Sequence, residues 1–346
     1  MGTASSPPLL SIRDLTVEFD TPEGVVHAVD RVSYDVYPGE TLGIVGESGS
    51  GKSVSVMSLL QLIRQGRVVS GEAVFEGQDL LAMPKKGLRD IRGRKISMVF
   101  QDPMTSLNPV FRVGHQIAEA VTAHDPSTRG QQAKARAVEL LRMVGVPEPE
   151  RRYDQYPHQF SGGMRQRAMI ATAIANDPAL LIADEPTTAL DVTVQAQILD
   201  LLQTAQRETD AAVLLITHDL GLIAEMADRV IVMYAGHVVE SGSVEEIFNF
   251  PRHPYTLGLM NSLPQAEGQD EWLRPILGSP PNLANVPPGC PFHPRCLLSQ
   301  DRQRCRADLP DLEPAGTVAG HLAACHYKDE LESESARMLA TAEGLS

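Results

Sequence analysis

Two glycine-rich stretches decide the fold of this chain: Gly46–Ser53 (GESGSGKS) and Ser161–Arg167 (SGGMRQR). The first has the spacing G-x-x-x-x-G-K-S, follows an apolar run and precedes a helical pattern, which is the context of a phosphate-binding loop. The second lies 108 residues after Ser53, shortly before an apolar run that ends in Asp184-Glu185. A phosphate loop alone occurs in many unrelated nucleotide-binding proteins. The two stretches together, in this order, are compatible with far fewer classes of protein.

Length and charge limit the alternatives. The 346 residues are enough for one large α/β domain with an extension, or for two domains. The 30 Lys and Arg against 44 Asp and Glu give a net charge of −14, which disfavours a nucleic-acid partner because such partners need clustered positive charge. No apolar run approaches the 18 residues of a transmembrane helix, and the first residues do not resemble a signal peptide.

Hydrophobic periodicity predicts alternating strands and helices. Such alternation favours a parallel sheet with helices on both faces. The predicted strands are 11–45 in several pieces, 72–100, 180–183 and 212–217, and the predicted helices are 52–64, 117–143 with a polar break at 124–130, 165–175 and 192–208. Prolines are concentrated after residue 250, with 12 of the 25 in the last 96 residues, so an irregular extension is expected there.

The phosphate loop predicts the nucleotide contacts. Its glycines let backbone N–H groups converge on phosphates at the start of a helix. We expect Lys52 to reach the β- and γ-phosphates and the Ser53 hydroxyl to bind Mg²⁺. The residues predicted to surround the phosphates are Gly46, Glu47, Ser48, Gly49, Ser50, Gly51, Lys52 and Ser53.

Polar residues at the ends of apolar runs predict the rest of the hydrolytic site. Asp184 fits the Mg²⁺ shell, and Glu185 fits the residue that polarises the attacking water. Gln101 follows the run 96–100 and is expected near Mg²⁺ and the water, while His218 follows 213–217 and is expected at the γ-phosphate. Gln101 or His218 taken alone is an ordinary strand-end residue, so their order along the chain carries this prediction.

In that order the motifs resemble those of the ABC ATPases over about residues 9–245. The resemblance implies a P-loop (RecA-like) α/β core with an antiparallel β subdomain and a helical subdomain at about 102–165. It also implies that Ser161, Gly162 and Gly163 contact the ATP of a partner subunit, with Ala189–Asp191 at the interface. An aromatic residue of the first strand is expected to stack on adenine; Phe19 is the candidate, with Tyr34 and Tyr37 as alternatives.

Sequence around the motifs resembles one branch, the ATPases of oligopeptide and dipeptide importers. Val99–Pro109 (VFQDPMTSLNP), Ala183–Thr193 (ADEPTTALDVT) and His253–Thr256 (HPYT) carry this resemblance. The superfamily usually has Gln at the position of Met164. With Met there, the stretch Phe160–Arg167 is similar to that of the first of the system's two ATPase subunits, the D-type. The resemblance implies a second, homologous ATPase subunit, two transmembrane permease subunits and an extracytoplasmic substrate-binding protein, with this chain on the cytoplasmic face of the membrane. The alternatives are an importer ATPase for nickel chelates or glutathione, and an iron–sulfur redox protein with a regulatory nucleotide site.

The four cysteines predict a metal site in the extension. Cys290, Cys296, Cys305 and Cys325 are separated by five, eight and nineteen residues. Four thiolates suit a [4Fe–4S] cluster or Zn²⁺, although zinc sites favour cysteines two to four residues apart; free thiols are the third possibility. The branch resemblance favours the cluster. The predicted domain boundaries are 1–8 for a disordered tail, 9–250 for the nucleotide-binding domain and 251–346 for the extension.

Overall fold

The computed structural model describes residues 7–101, 106–125, 127–187, 192–262, 276–299, 302–316 and 320–331. In these ranges the strands are β1 (Leu10–Thr21), β2 (Gly24–Val36), β3 (Thr41–Val45), β4 (Gly66–Phe75), β5 (Gln78–Asp79), β6 (Ile96–Val99), β7 (Leu180–Asp184), β8 (Ala212–Ile216), β9 (Arg229–Tyr234), β10 (His237–Ser243), β11 (Glu313–Pro314) and β12 (Leu322–Ala323). The helices are α1 (Lys52–Leu59), α2 (Lys85–Ile91), α3 (Val113–His124), α4 (Gln131–Met143), α5 (Pro149–Tyr153), α6 (Gly162–Ala173), α7 (Val192–Thr209), α8 (Leu220–Met226), α9 (Val244–Asn249), α10 (Pro254–Met260) and α11 (Gln303–Ala307).

The chain divides into two compact units. The first comprises the residues up to Leu10, Val36–Thr41 and Glu76–Ile216; the second comprises Ser11–Asp35, Leu42–Phe75 and the residues from Thr217 onward. The domain boundaries expected after residues 8 and 250 stay predictions. None of the helices in the described ranges is long and apolar enough to cross a membrane.

Three parallel strands, β6, β7 and β8, form the sheet of the first unit. Ile96 lies opposite Leu180, and Leu180 lies opposite Ala212. Every residue of β7 and β8 is buried, which explains why both strands are unbroken apolar runs in the sequence. Asp184 ends β7 at the carboxyl edge of these strands, where ligands collect in sheets of this kind.

Helices α3 to α5 lie between the two glycine-rich stretches, and α6 begins at the second one. Ile117 and Val121 of α3 are buried four residues apart, and Ala137 and Leu141 of α4 repeat that spacing, so each helix presents an apolar stripe. α3 packs on α4, and both pack on α6. The Asn176 amide donates to the carbonyl of Ala120 at 3.1 Å and so connects α3 to the segment that follows α6.

The sheet of the second unit contains both parallel and antiparallel pairs. β3 is parallel to β9, with Ile44 opposite Ile231. β10 is antiparallel to β9, with a register shift between Val238 and Glu240, and its other edge pairs with β12. The extension therefore adds strand pairing to this sheet.

A buried carboxylate holds the extension to β10. Glu240 is fully buried, and its two oxygens accept the backbone N–H groups of Arg252 at 2.6 Å and His253 at 2.9 Å. His321 Nε2 lies 2.8 Å from Glu240 Oε1. Since a buried carboxylate needs such partners, Glu240 ties three separate chain segments together.

His253 begins helix α10. Its Nδ1 accepts the backbone N–H of Tyr255 at 3.1 Å, and Pro254 occupies the first helical position. Burial lowers the pKa of His253 to about 3, so the imidazole is neutral and its Nδ1 lone pair can accept this bond. The local structure of the His-Pro-Tyr sequence is thus a capped helix start.

Helix α1 is shorter than predicted. It ends at Leu59, whereas periodicity extended it to about residue 64. Gln61 adopts a left-handed conformation with φ of 48°, and the N–H of Leu62 bonds to the carbonyl of Met57 at 2.9 Å. This is a Schellman ending, which glycine usually provides; with Gln at that position the sequence carries no stop signal.

The prediction of strands throughout 72–100 is wrong for Lys85–Ile91, which forms α2. Pro84 precedes the helix, and only Leu88 and Ile91 are buried, three residues apart. Seven residues with two apolar contacts are too few to show a helical period in the sequence.

Candidate functional site

The phosphate loop connects β3 to α1 in the second unit. The Lys52 side chain is buried at its start, and Nζ donates to the carbonyls of Gly46 at 2.7 Å and Glu47 at 3.0 Å. The ammonium is therefore held against the first two carbonyls of the loop. Ser53, the predicted Mg²⁺ ligand, is half-buried one residue further along α1.

Two glycines let this loop approach neighbouring backbone. A Cβ on Gly46, where φ is 152°, would lie 2.2 Å from the carbonyl oxygen of Met233 in β9. A Cβ on Gly51, where φ is 98°, would lie 2.3 Å from the carbonyl oxygen of Ala28 in β2. No L side chain fits either position, so the loop path depends on glycine at both.

The middle of the loop contains two exposed residues and one residue whose backbone is hydrogen-bonded to a neighbouring segment. Ser48 and Gly49 are exposed, whereas the Ser50 carbonyl accepts the N–H of Gly236 at 3.0 Å. The Ser50 hydroxyl is buried and has no hydrogen-bond partner among the described residues. An unsatisfied buried hydroxyl in a loop of converging N–H groups fits a site for an anionic ligand.

The first unit brings Gln101 and Glu185 together. Gln101 Nε2 donates to Glu185 Oε2 at 2.7 Å, which orients the carboxylate predicted to polarise water. Glu185 has a left-handed φ of 47°, and its N–H donates to the carbonyl of Ile216 at 2.8 Å. Asp184, the residue before it, is buried.

The second glycine-rich stretch begins helix α6. The Ser161 hydroxyl caps the helix by accepting the N–H of Met164 at 3.3 Å. A Cβ on Gly162 would meet nothing within 4 Å, whereas one on Gly163 would lie 3.0 Å from Val194. The open side at Gly162 leaves its backbone accessible.

Gln166 is a residue whose role the motif did not reveal. Its buried amide donates to the carbonyl of Pro186 at 2.6 Å. Helix α6 is therefore bonded to the segment that directly follows Glu185. The predicted interface segment Ala189–Asp191, a few residues later, lies outside the described residues.

His218 and Phe19 lie in the second unit. His218 is exposed and follows Thr217, whose N–H donates to the carbonyl of Ile44 in β3 at 3.3 Å. Phe19 is half-buried in β1, and a Cβ on Gly66 would lie 2.7 Å from its ring. Tyr34, an alternative for adenine, is buried in β2. The ligand contacts of all these residues stay predictions.

The four cysteines of the extension line one cavity of about 20 Å³, together with His293 and His326. Burial raises the pKa of Cys290 and of Cys325 to about 12, so both thiols are protonated at neutral pH unless a cation binds them. Within the described ranges, no three His, Cys, Asp or Glu side chains are arranged to hold a metal ion. None of these four cysteines takes part in a disulfide.

Two residues of the extension contact the phosphate loop, and the sequence analysis predicted neither contact. The Tyr255 hydroxyl accepts the N–H of Glu47 at 2.8 Å. The Arg295 guanidinium pairs with both carboxylate oxygens of Glu47, at 2.6 and 2.9 Å.

Comparison with known proteins agrees with this geometry. Residues 29–188 match the model of the ABC transporter family, and residues 239–305 match that of the oligopeptide/dipeptide transporter C-terminal region. The oligopeptide transport ATP-binding protein OppD of Haemophilus influenzae is 51% identical over 295 residues, covering 85% of this chain and 91% of that protein. The dipeptide transport ATP-binding protein DppD of Bacillus subtilis is 52% identical over 290 residues, covering 83% and 86%.

Solved structures give the same class. The dimeric ATP-binding cassette MJ0796, in a post-hydrolysis state with ADP and Pi, superposes with a TM-score of 0.62 at 28% identity, over 68% of this chain and 98% of that one. Fold and motifs therefore define an ATP-hydrolysing cassette of the ABC type. The chain belongs to the ABC transporter family, in the branch of oligopeptide and dipeptide importer ATP-binding proteins.

Gly46→Ala should destabilise the protein far more than Gly49→Ala. Both positions have positive φ, which costs an alanine about 1–2 kcal/mol, but only at Gly46 would the new Cβ collide with a backbone carbonyl. We expect Gly46→Ala to lower the free energy of unfolding by about 3 kcal/mol or more, measured by denaturant titration. Equal losses for the two variants would show that the loop is not wedged against β9.

Proposed function

We propose that this ABC ATPase powers the import of dipeptides or oligopeptides through a membrane complex. The observation that carries the proposal is the phosphate loop and the Ser161 loop in one chain with the C-terminal region of peptide transporters. The partners in this proposal are a second, homologous ATPase subunit, two permease subunits and an extracytoplasmic substrate-binding protein. The chain then acts at the cytoplasmic face of the membrane. No observation favours import of nickel chelates or glutathione, or a redox function.

The residues predicted for the hydrolytic site have distinct roles in this proposal. Lys52 and the loop N–H groups bind the phosphates of ATP. By resemblance to the ABC ATPases, Ser53, Gln101 and Asp184 are each assigned to Mg²⁺, which would neutralise phosphate charge. Glu185 polarises the attacking water. The hydrogen bond from Gln101 to Glu185 supports this task because it fixes the carboxylate orientation, and phosphoryl transfer depends mainly on positioning and electrostatics.

The proposed site is completed by a second subunit. Ser161, Gly162 and Gly163 contact the ATP of that partner, as the resemblance to ABC ATPases implies. The exposed positions of Ser161 and Gly162 at the start of α6 support this, because helix N-termini attract phosphate. Met164 is half-buried and contributes its backbone N–H to the Ser161 cap, so the missing Gln at this position does not remove a phosphate ligand.

We further propose that the cysteine cavity holds a [4Fe–4S] cluster. The donor set fits, since four thiols from separate turns converge on one cavity. Zinc sites favour cysteines two to four residues apart, and the separations of five, eight and nineteen residues do not follow that pattern. When bound, the cluster cross-links the extension, which is the role by which metals stabilise segments with small cores.

Glu185→Gln should separate ATP binding from hydrolysis. In the complex assembled with its partner subunits, we expect ATP affinity to stay within about twofold and turnover per altered site to fall about 100-fold or more, the usual range for loss of a general base. Glu119→Gln, at an exposed position of the first unit, serves as the matched control. Normal turnover in the Glu185 variant would remove this residue from the chemistry.

The metal proposal predicts iron in the purified chain. Protein prepared without oxygen should be brown and contain about four iron atoms per chain. Cys296→Ser should reduce the iron content, whereas Ser299→Ala, at a neighbouring position that also lines the cavity, should retain it. Stoichiometric zinc without iron in elemental analysis would overturn the cluster assignment.

A further inference from the structure

Arg295 of the extension forms a two-bond ion pair with the phosphate loop. Its Nη1 lies 2.6 Å from Glu47 Oε2, and its Nη2 lies 2.9 Å from Glu47 Oε1. Only 6% of the Arg295 side chain and 25% of the Glu47 side chain are exposed. Solvent screening is therefore weak, and the paired geometry is the strongest that arginine and a carboxylate can form.

The guanidinium is fixed from other directions as well. Arg295 Nε donates to the carbonyl of Leu277 at 3.0 Å, and Nη1 donates to the Tyr234 hydroxyl at 3.3 Å. The guanidinium carbon lies 5.8 Å from the Tyr234 ring centre and 5.9 Å from that of Phe292. These contacts hold the cation in place, so Glu47 meets a charge of defined position.

Tyr255 fixes the backbone of the same glutamate. Its ring is fully buried, 4.7 Å from the Tyr234 ring and 5.4 Å from the Phe292 ring, measured between centres. Its hydroxyl accepts the Glu47 N–H, while the Glu47 carbonyl accepts from Lys52. The main chain of Glu47 is thus bonded on both sides.

A glutamate in this loop poses an electrostatic problem. The loop is built to attract phosphate, and the carboxylate of its second residue repels an anion in a partly buried setting. Arg295 neutralises that carboxylate and fixes its direction. Arg295 and Cys296 are consecutive residues. The segment that lines the cysteine cavity therefore also carries the charge that neutralises Glu47.

We propose that Arg295 is a positioning residue of the nucleotide site, which acts through Glu47 to raise the affinity of the phosphate loop for ATP. The inference rests on the proposed function only in that this loop binds ATP. In this proposal the extension contributes to the ATP affinity of the nucleotide site.

A double-mutant cycle in the full-length chain tests this inference. Mg²⁺-ATP affinity is measured by calorimetry for the wild type, Arg295→Gln, Glu47→Gln and the double variant. Arg295→Gln should weaken binding about tenfold when Glu47 is present, a coupling of the size found between contacting groups. In the E47Q background the same change should weaken binding less than about twofold, because no carboxylate is left to neutralise.

Enzyme kinetics and a matched control variant distinguish a positioning role of Arg295 from a general effect on the stability of the extension. In the assembled complex, Arg295→Gln should raise the KM for ATP about tenfold and leave kcat unchanged. Arg295→Lys, which keeps the charge but loses the two-bond geometry, should bind ATP with intermediate affinity. Lys328→Gln breaks another ion pair of the extension, with Glu313, and should leave ATP affinity unchanged.

Two results would overturn the inference. One is wild-type affinity in Arg295→Gln; the other is an equal loss with and without Glu47, which would assign Arg295 a merely structural role. If Arg295→Gln does not fold, the comparison of Arg295→Lys in the two backgrounds gives the same decision. Absence of ATP binding by the wild type would instead contradict the proposed function.

Discussion

The close approach of the phosphate loop to two backbone carbonyls is the constraint on which the rest of the structure depends. At Gly46 and Gly51 the loop runs so near Met233 and Ala28 that a single methyl group would collide. This contact sets the path of the loop, and with it the position of Lys52 against the first loop carbonyls. The phosphate loop, strand β9 and the start of helix α1 are therefore packed together, and a change in one of them displaces the others.

The extension is held by specific contacts, and some of these contacts reach the phosphate loop. In an ABC ATPase of the peptide-importer branch, a proline-rich tail of small core has to be held by specific contacts. Glu240 binds the extension at Arg252, His253 and His321, and strand β12 pairs with β10. Tyr255 and Arg295 contact Glu47. The segment that contains Cys290 and Cys296 is thereby joined to the phosphate loop.

Much of the fold and of the candidate site could be predicted from the sequence because the signals are local. The buried strands β7 and β8 are short apolar runs, the phosphate loop has fixed spacing, and Asp184-Glu185 ends a strand. The family assignment followed from the order of those motifs. Contacts between distant residues gave no such signal: Arg295 and Glu47 are 248 positions apart, and Glu240 and His321 are 81 apart. The early end of α1 escaped prediction for another reason, since Gln61 takes a conformation that usually calls for glycine.

The most direct measurement is titration of the full-length chain with Mg²⁺-ATP by calorimetry, for the wild type and for Lys52→Ala. We expect one ATP per chain in the wild type. We expect the variant to lose most of that affinity, because the ammonium held at Gly46 and Glu47 is the charge proposed to contact the β- and γ-phosphates. Equal affinity in the two proteins would contradict the assignment of Gly46–Ser53 as the nucleotide site.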